Sequence, residues 1–212
     1  MKFVSIDIET TGLDPESCQI LQIGAVIEDT VKILPLIDLP KFSCIIEHPF
    51  YTGQPYALNL NNWIMQILAS LQTAKTSEDR SNIRKNHRIM SQGLAVKALY
   101  EWLIGNGILP HTGFKTGQLQ INVAGKNFGT FDKLFLEKLP GWSSFIQVNQ
   151  RIIDPTVIFT DWLNDERLPN LDTCMSRIGI SDKVTHDAVQ DALDVIRVIR
   201  EVTNLYENNL YQ

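Results

Sequence analysis

The sequence has little of what marks a disulfide-rich, membrane-spanning or secreted protein. Its 212 residues include three cysteines, which are odd in number and widely spaced at Cys18, Cys44 and Cys174. They match no metal-binding pattern, so a reducing, cytoplasmic compartment is predicted. No apolar run approaches the roughly 20 residues that a membrane helix needs. Acidic residues also interrupt the N-terminal apolar run, so neither a secretory signal nor any membrane contact is predicted.

Glycine and proline are also scarce, with 12 and 9 copies, and the chain contains no internal repeat and no flexible linker. Hydrophobic residues make up 44% of the sequence and charged residues 20%, values typical of a globular protein with a sizeable core. These values exclude wholesale disorder. We predict a single domain over residues 1–212, with a helical and basic insertion at about 55–110.

Positive charge is in the minority, since the formal net charge is −5, and this alone argues against a nucleic-acid-binding protein. The charge is unevenly distributed, however. Residues 75–97 contain six Lys or Arg and two acidic residues, whereas 151–194 contain nine Asp or Glu and four Lys or Arg. A basic segment together with an acidic one suits a site that binds cations and polyanions. The alternative interpretation is a solvated surface.

Alternating apolar and polar residues predict three early strands, at 2–9, 19–28 and 42–47. Two later strands are predicted at 119–124 and 151–154. Apolar residues at helical spacing predict the helices, at 58–71, 92–104, 128–139, 155–163, 170–178 and 187–205. The polar stretch at 72–88 is predicted to be a mobile connection, and 105–118 a loop. This order predicts an α/β fold with a mixed five-stranded sheet, three antiparallel strands first and then two strands alternating with helices, flanked by helices.

Two acidic residues interrupt the first predicted strand. Asp7 and Glu9 are two positions apart, so both carboxylates lie on one face and within reach of one shared ion. Strands disfavour acidic residues, so this pair needs an explanation. The alternative to an ion site is an edge strand with a solvated face. In the turn that follows, Gly12 permits a close backbone approach, and the apolar Leu13 is a candidate for ligand contact or for ordinary packing.

Three further candidates come from the second half of the chain. Asp132 lies on the predicted helix at 128–139, where an exposed position is the alternative interpretation. His186 precedes the last predicted helix, whose apolar stripe runs through Ala188, Ala192, Val195, Ile199 and Val202. Asp191 lies on the shoulder of that stripe and is the candidate ligand, whereas Asp194 is predicted to face solvent.

Four carboxylates and one histidine form the set that a two-metal phosphodiester hydrolase requires. Oxygen ligands suit Mg²⁺ or Mn²⁺. Two such ions about 4 Å apart hold both the attacking and the leaving oxygen of a phosphodiester. A histidine with a pKa near about 6.5 can accept the proton of the attacking water.

Three segments resemble, in order, the exonuclease motifs of the DnaQ-like, DEDDh-type 3′–5′ exonucleases: DIETTGLD at 7–14, NFGTFDKLFL at 127–136 and HDAVQD at 186–191. The resemblance implies a ribonuclease H-like fold and release of nucleoside 5′-monophosphates. It implies that the metal ligands are Asp7, Glu9, Asp132 and Asp191, with His186 as general base. It also makes substrate-binding candidates of five residues of the motifs, namely Thr10, Gly12, Leu13, Asn127 and Phe128.

The subfamily is left open by the sequence. Residues 124–140 and 151–154 resemble oligoribonucleases, but the first motif departs from them, because they usually carry Met where Thr10 stands. The predicted function is a 3′–5′ exonuclease that uses two divalent cations, Mg²⁺ or Mn²⁺, on single-stranded DNA or RNA 3′ ends. The alternatives are an oligoribonuclease-like or small-nucleotide phosphodiesterase acting on short oligonucleotides, and a catalytically silent nucleic-acid-binding module. The oligomeric state is not predicted.

Overall fold

A computed structural model describes residues 1–110, 117–181 and 185–210. Three long strands form the centre of its sheet, as the alternating pattern predicts: β1 (Lys2–Thr10), β2 (Ile20–Asp29) and β3 (Lys41–Ile46). β1 pairs antiparallel with β2, and β2 pairs antiparallel with β3. The predicted meander is therefore confirmed.

A helical segment follows β3 and returns to the sheet at its edge. Its elements are α1 (Pro55–Leu60), α2 (Asn62–Thr73), α3 (Ser77–His87), β4 (Ile89–Met90) and α4 (Gln92–Gly105). The single helix predicted at 58–71 is two helices that meet at Asn61. β4 pairs parallel with β3 and is a strand that the sequence pattern did not predict.

The prediction of a mobile connection at 72–88 is wrong, because most of this stretch is α3. Thr76 caps the helix, and its Oγ1 accepts a hydrogen bond from the Asp79 N–H at 3.0 Å. Acidic residues in the first turn and basic residues in the last turn complement the helix dipole. A helix without an apolar stripe is stabilised here by its ends, which an analysis of apolar periodicity does not detect.

The second half of the chain alternates short strands with helices. Its elements are β5 (Leu119–Ile121), β6 (Val123–Ala124), α5 (Asp132–Leu136), α6 (Trp142–Phe145), β7 (Ile146–Val148), α7 (Leu171–Arg177) and α8 (Ala188–Leu210). The five-stranded sheet has the order β4-β3-β2-β1-β6, and β5 pairs with β7 in a separate two-stranded sheet. The mixed α/β fold with flanking helices is therefore confirmed.

Several predicted boundaries in this half are wrong. The strand predicted at 119–124 is split between the two sheets, and the one predicted at 151–154 forms an isolated bridge from Ile153 to Ala124. The helix predicted at 155–163 is a 3₁₀ turn at Pro155–Val157. Asp161 then accepts from the Leu163 N–H at 3.0 Å, a local bond that competes with a helix. Of the loop predicted at 105–118, residues 111–116 lie outside the described residues.

α8 packs directly against the face of the sheet that carries the acidic residues of β1. A Cβ atom at Gly24 of β2 would lie 2.2 Å from the Ala188 carbonyl carbon, so only glycine allows this approach. The other face of β1 packs Val4, Ile6 and Ile8 into the main core. Within the described ranges, no helix combines the length and the apolar character needed to cross a membrane.

Candidate active site

The two acidic residues of β1 lie on the face that α8 covers. Glu9 is buried and Asp7 is half-buried. β1 is not an edge strand, because β2 pairs along its whole length and β6 pairs at Val4 and Ser5 on the other side. The alternative of a solvated edge strand is therefore excluded for these two carboxylates.

Asp132 joins the site where β6 stops pairing with β1. It is the first residue of α5 and its side chain is buried. Its Oδ1 accepts a hydrogen bond from the Ile8 N–H at 3.2 Å, which is the strand amide between Asp7 and Glu9. The alternative of an exposed helical position is thereby excluded.

The loop before α8 supplies His186, and the first turn of α8 supplies Asp191. Asp187 caps the helix, since its Oδ1 accepts from the Val189 and Gln190 N–H groups at 3.1 Å each. Gln22 of β2 fixes this turn to the sheet: its Nε2 donates to Asp187 at 3.3 Å and its Oε1 accepts from the Ala188 N–H at 3.1 Å.

These elements bring the predicted residues together. Ligand atoms of Glu9, His186 and Asp191 all lie within 4.8 Å of one another. They border a pocket of about 290 Å³, lined by Asp7, Ile8, Glu9, Lys126, Asn170, Leu171, Asp172, His186, Asp191 and Val195. Asp132 is close enough to Asp7 for its charge to raise the pKa of that carboxyl.

Burial raises the pKa of all four carboxyls, and neighbouring negative charges add to the rise for Asp7, Glu9 and Asp191. Burial is the largest cause for Glu9, Asp132 and Asp191, whose pKa is raised to about 7 in each case. The pKa of Asp7 is raised well above its ordinary value, first by loss of hydration and then by the charges of the other three. Buried like charges of this kind are stabilised by cations. The oxygen-rich ligand set therefore fits Mg²⁺ or Mn²⁺.

Three of the five predicted substrate-binding residues border a second pocket. This pocket of about 230 Å³ shares Ile8 and Glu9 with the first, and its lining includes Thr10, Gly12 and Leu13. The Thr10 hydroxyl donates to the Gly12 carbonyl at 2.7 Å, and a Cβ at Gly12 would lie 2.6 Å from Cys18 Sγ. The predicted close approach at Gly12 is therefore present.

The other two predicted substrate-binding residues lie elsewhere. Phe128 is completely buried in the main core, so its assignment to substrate contact is corrected to a packing role. Asn127 is exposed in a left-handed turn with φ of 56°, and its N–H donates to Asp154 at 3.0 Å. Phe128 therefore packs in the core and Asn127 forms a turn, both ahead of Asp132 in the chain.

The prediction that Asp194 faces solvent is wrong. Its side chain is buried and accepts hydrogen bonds from Gln190 Nε2 at 3.0 Å and Arg197 at 3.1 Å. α8 is covered on one side by the sheet and on another by α7, so more than one of its faces is buried. A single apolar stripe does not predict the burial of Asp194, because a second face of α8 is also covered.

Four further residues at the site were not predicted. Lys126 borders the first pocket, and its positive charge opposes the raised pKa of Asp7 and Asp132. Asn61 Nδ2 donates to the Thr10 carbonyl at 3.1 Å, and Trp63 Nε1 donates to the His186 carbonyl at 3.3 Å. These three residues and Gln22 all lie outside the motif segments, although Lys126 immediately precedes the second one at Asn127. No periodic pattern marks them.

The fold is similar to that of several nucleases of known structure. Cell-death related nuclease 4 (CRN-4) is similar with a TM-score of 0.58 and 15% identity over 96% of this chain and 64% of that protein. E. coli exonuclease I in complex with a dT13 oligonucleotide is similar with a TM-score of 0.57 and 17% identity over 98% and 43% of the two chains. For exonuclease I from Methylocaldum szegediense the values are 0.55 and 15%, over 94% and 40%.

This chain thus spans between 40% and 64% of the length of these three proteins. No protein-family model matches it, and no curated protein matches it either. At 15–17% identity the similarity establishes the fold. The chemistry must be argued from the residues of this chain.

Proposed function

We propose that this chain is a metal-dependent 3′–5′ exonuclease of the DEDDh type, acting on single-stranded ends of DNA or RNA. The observation that carries the proposal is the close approach of Glu9, His186 and Asp191 within 4.8 Å, beside Asp7 and Asp132. A buried acidic cluster of this kind has no value for stability, since repulsion and burial both oppose its charged form. Its composition suits the hydrolysis of a phosphodiester.

Asp7, Glu9, Asp132 and Asp191 would hold two divalent cations, Mg²⁺ or Mn²⁺, which supply electrostatic stabilisation to the attacking and leaving oxygens. His186 would accept the proton of the attacking water as general base. Its place at the rim of the pocket, on a loop that is half-buried, leaves the ring accessible to water.

The second pocket would receive the terminal nucleotide. Leu13, Tyr56 and Phe131 are among its apolar lining residues, and Glu9 is shared with the acidic pocket. A base can pack against such side chains without a sequence-specific contact. A nucleotide seated there places its linking phosphate toward the acidic pocket, which favours attack at the last phosphodiester. The exonuclease I structures that hold dT13 or dA16 oligonucleotides support single-stranded substrates.

An oligoribonuclease-like or small-nucleotide phosphodiesterase is the second candidate. The observation that favours it is the small volume of the terminal pocket, about 230 Å³, which accommodates a single nucleotide. A catalytically silent binding module is disfavoured because binding alone does not require four repelling carboxylates and a histidine.

The test is a digestion series with 5′-labelled DNA and RNA strands of two to thirty nucleotides, with and without Mn²⁺. A metal-dependent ladder that shortens from the 3′ end is the expected result. Cleavage of dinucleotides alone would favour the small-nucleotide phosphodiesterase. Absence of products with every strand and with either metal would overturn the assignment as an enzyme.

A further inference from the structure

α2 contacts the loop that carries His186 through one side chain. Trp63, the second residue of α2, donates its indole N–H to the His186 carbonyl oxygen at 3.3 Å. Trp63 comes from the helical segment that follows β3, more than 120 residues earlier in the chain. Its ring is 37% exposed, so the side chain is not held there by deep burial.

The backbone of His186 has a conformation that needs support. Its φ is 53°, in the left-handed region that a residue with a Cβ atom disfavours. Such a conformation persists where the surroundings hold it, and functional sites are where it is found. Among the described residues, the hydrogen bond to the His186 backbone is the one that Trp63 Nε1 donates to its carbonyl oxygen.

The same end of α2 also holds the strand that carries Glu9. Asn61 is buried, and its Nδ2 donates to the Thr10 carbonyl at 3.1 Å. Two residues that are two positions apart therefore bind the last residue of β1 and the loop before α8. One helix end therefore contacts both the strand that carries Glu9 and the loop that carries His186.

We propose that Trp63 is a positioning residue for His186. The indole N–H fixes the carbonyl of His186, and with it the left-handed backbone that directs the imidazole toward Glu9 and Asp191. The inference rests on the proposed function of His186 as general base. Trp63 itself contacts none of the carboxylates of the cluster through a described hydrogen bond, so its effect passes through His186.

The first test is Trp63→Phe, which keeps an aromatic ring and removes the N–H. The expected result is a fall in kcat of about 10-fold, in the range of orienting residues at metal sites, with KM changed less than about 2-fold. Trp162→Phe is the matched control, because Trp162 is 76% exposed and lines neither pocket of the candidate site. An equal rise in KM would assign Trp63 to substrate binding instead and overturn the proposal.

The second test is a double-mutant cycle with His186→Ala. If Trp63 acts through His186, Trp63→Phe should lower kcat in the wild-type background and leave it unchanged in the His186→Ala background. Additive losses in the two backgrounds would overturn the proposal while leaving the exonuclease assignment intact.

The third test does not depend on activity. The three-bond coupling between the amide and α protons of His186 reports its φ by NMR. This coupling should change in Trp63→Phe and stay unchanged in Trp162→Phe. An unchanged coupling in Trp63→Phe would overturn the proposed positioning, whether or not the wild-type protein is a nuclease. A wild-type protein that degrades no nucleic acid would instead reject the proposed function.

Discussion

The acidic cleft and the helical segment after β3 carry charge in opposite ways. In the cleft, burial raises the pKa of Glu9 and Asp191 to about 7, and neither forms a salt bridge with a Lys or Arg of the described residues. On the helical segment, the half-buried Arg84 pairs with Glu47 through two hydrogen bonds of 2.9 Å, and the other charged residues of α3 are exposed. The paired and exposed charges of α3 are those of an ordinary solvated surface. Buried charges that lack cationic partners indicate a ligand that the protein must bind.

The largest expected effect concerns the cleft. Asp7→Ala should nearly abolish hydrolysis, by more than about 10³-fold, because it removes a carboxylate that would hold a cation at the reaction centre. The fold should persist, since the substitution relieves repulsion from three neighbouring carboxylates. Turnover of a 5′-labelled strand and a thermal melt measure both effects.

Asp38→Ala is the matched control for this substitution. Asp38 is an exposed acidic residue outside the cleft, and its replacement should leave turnover unchanged. Full activity in purified Asp7→Ala would contradict the two-metal assignment. The carboxylates of the cleft would then matter no more for hydrolysis than the exposed charges of α3.

His186→Ala should have the next largest effect. Loss of a general base lowers the maximal rate by about 10²–10⁴-fold, with a smaller change in substrate binding. Binding of Mn²⁺, measured by calorimetry, should survive. His87→Ala, at an exposed histidine of α3, is the control. Because the ring of His186 lies close to Glu9 and Asp191, loss of Mn²⁺ binding would reassign His186 as a metal ligand.

Glu9→Gln should stabilise the metal-free protein at high pH. The folded-state pKa of Glu9 is about 7, above its ordinary value of 4.5. Stability from this group is therefore fully present below about pH 4.5 and is lost as the pH rises through 7. Replacement by neutral Gln removes that loss, so the free energy of unfolding should rise by on the order of 3 kcal/mol at pH 8 and stay unchanged at pH 4.

Denaturant unfolding in the presence of a chelator measures this effect. Glu166→Gln, at an exposed glutamate, should show no such dependence on pH. Added Mn²⁺ should reverse the order at pH 8, because it stabilises the wild-type cluster more than the variant. A variant less stable than the wild type at pH 8 without metal would mean that Glu9 supports the fold.

The sequence predicts the early strands and the shared face of Asp7 and Glu9, because both follow from the alternation of apolar and polar residues. Asp7 and Glu9 share a face wherever β1 is extended, and no tertiary information is needed to say so. The partners of the histidine loop could not be predicted in this way. Gln22 and Trp63 contact residues of that loop that are 165 and 123 positions away in the sequence. Only the folded topology brings such distant residues together.

Two failures have a common physical cause. α3 was predicted as a connection because it lacks an apolar stripe, yet its capping residue and end charges support a helix. Asp194 was placed in solvent because α8 was assumed to have a single buried face. In both cases the periodicity of apolar residues predicts the burial of one helix face. It does not predict stabilisation by helix ends or burial of a second face.

The smallest expected effect concerns the basic side chains of the helical segment. Ile45 of β3 lies level with Gln22, which lies opposite Glu9, so the backbone at the end of β3 is about 10 Å from the backbone of Glu9, at the same end of the sheet. Glu47 follows β3 and holds α3 through Arg84. A single-stranded nucleic acid that leaves the cleft at this end of the sheet would therefore pass α3.

Arg84 is already paired with Glu47, and Arg88 lies 5.1 Å above the Phe42 ring, so neither is a suitable residue to replace. The better test replaces the exposed Lys75, Arg80 and Lys85 together with Ser. Each lost phosphate contact should lower the salt slope of single-strand binding by about 0.7, or by about 2 for all three. A twenty-nucleotide strand should bind more weakly, and a dinucleotide should be unaffected because it cannot reach from the cleft to α3. An unchanged salt slope for the longer strand would mean that these residues form a solvated surface, and the contrast between the two regions would then be complete.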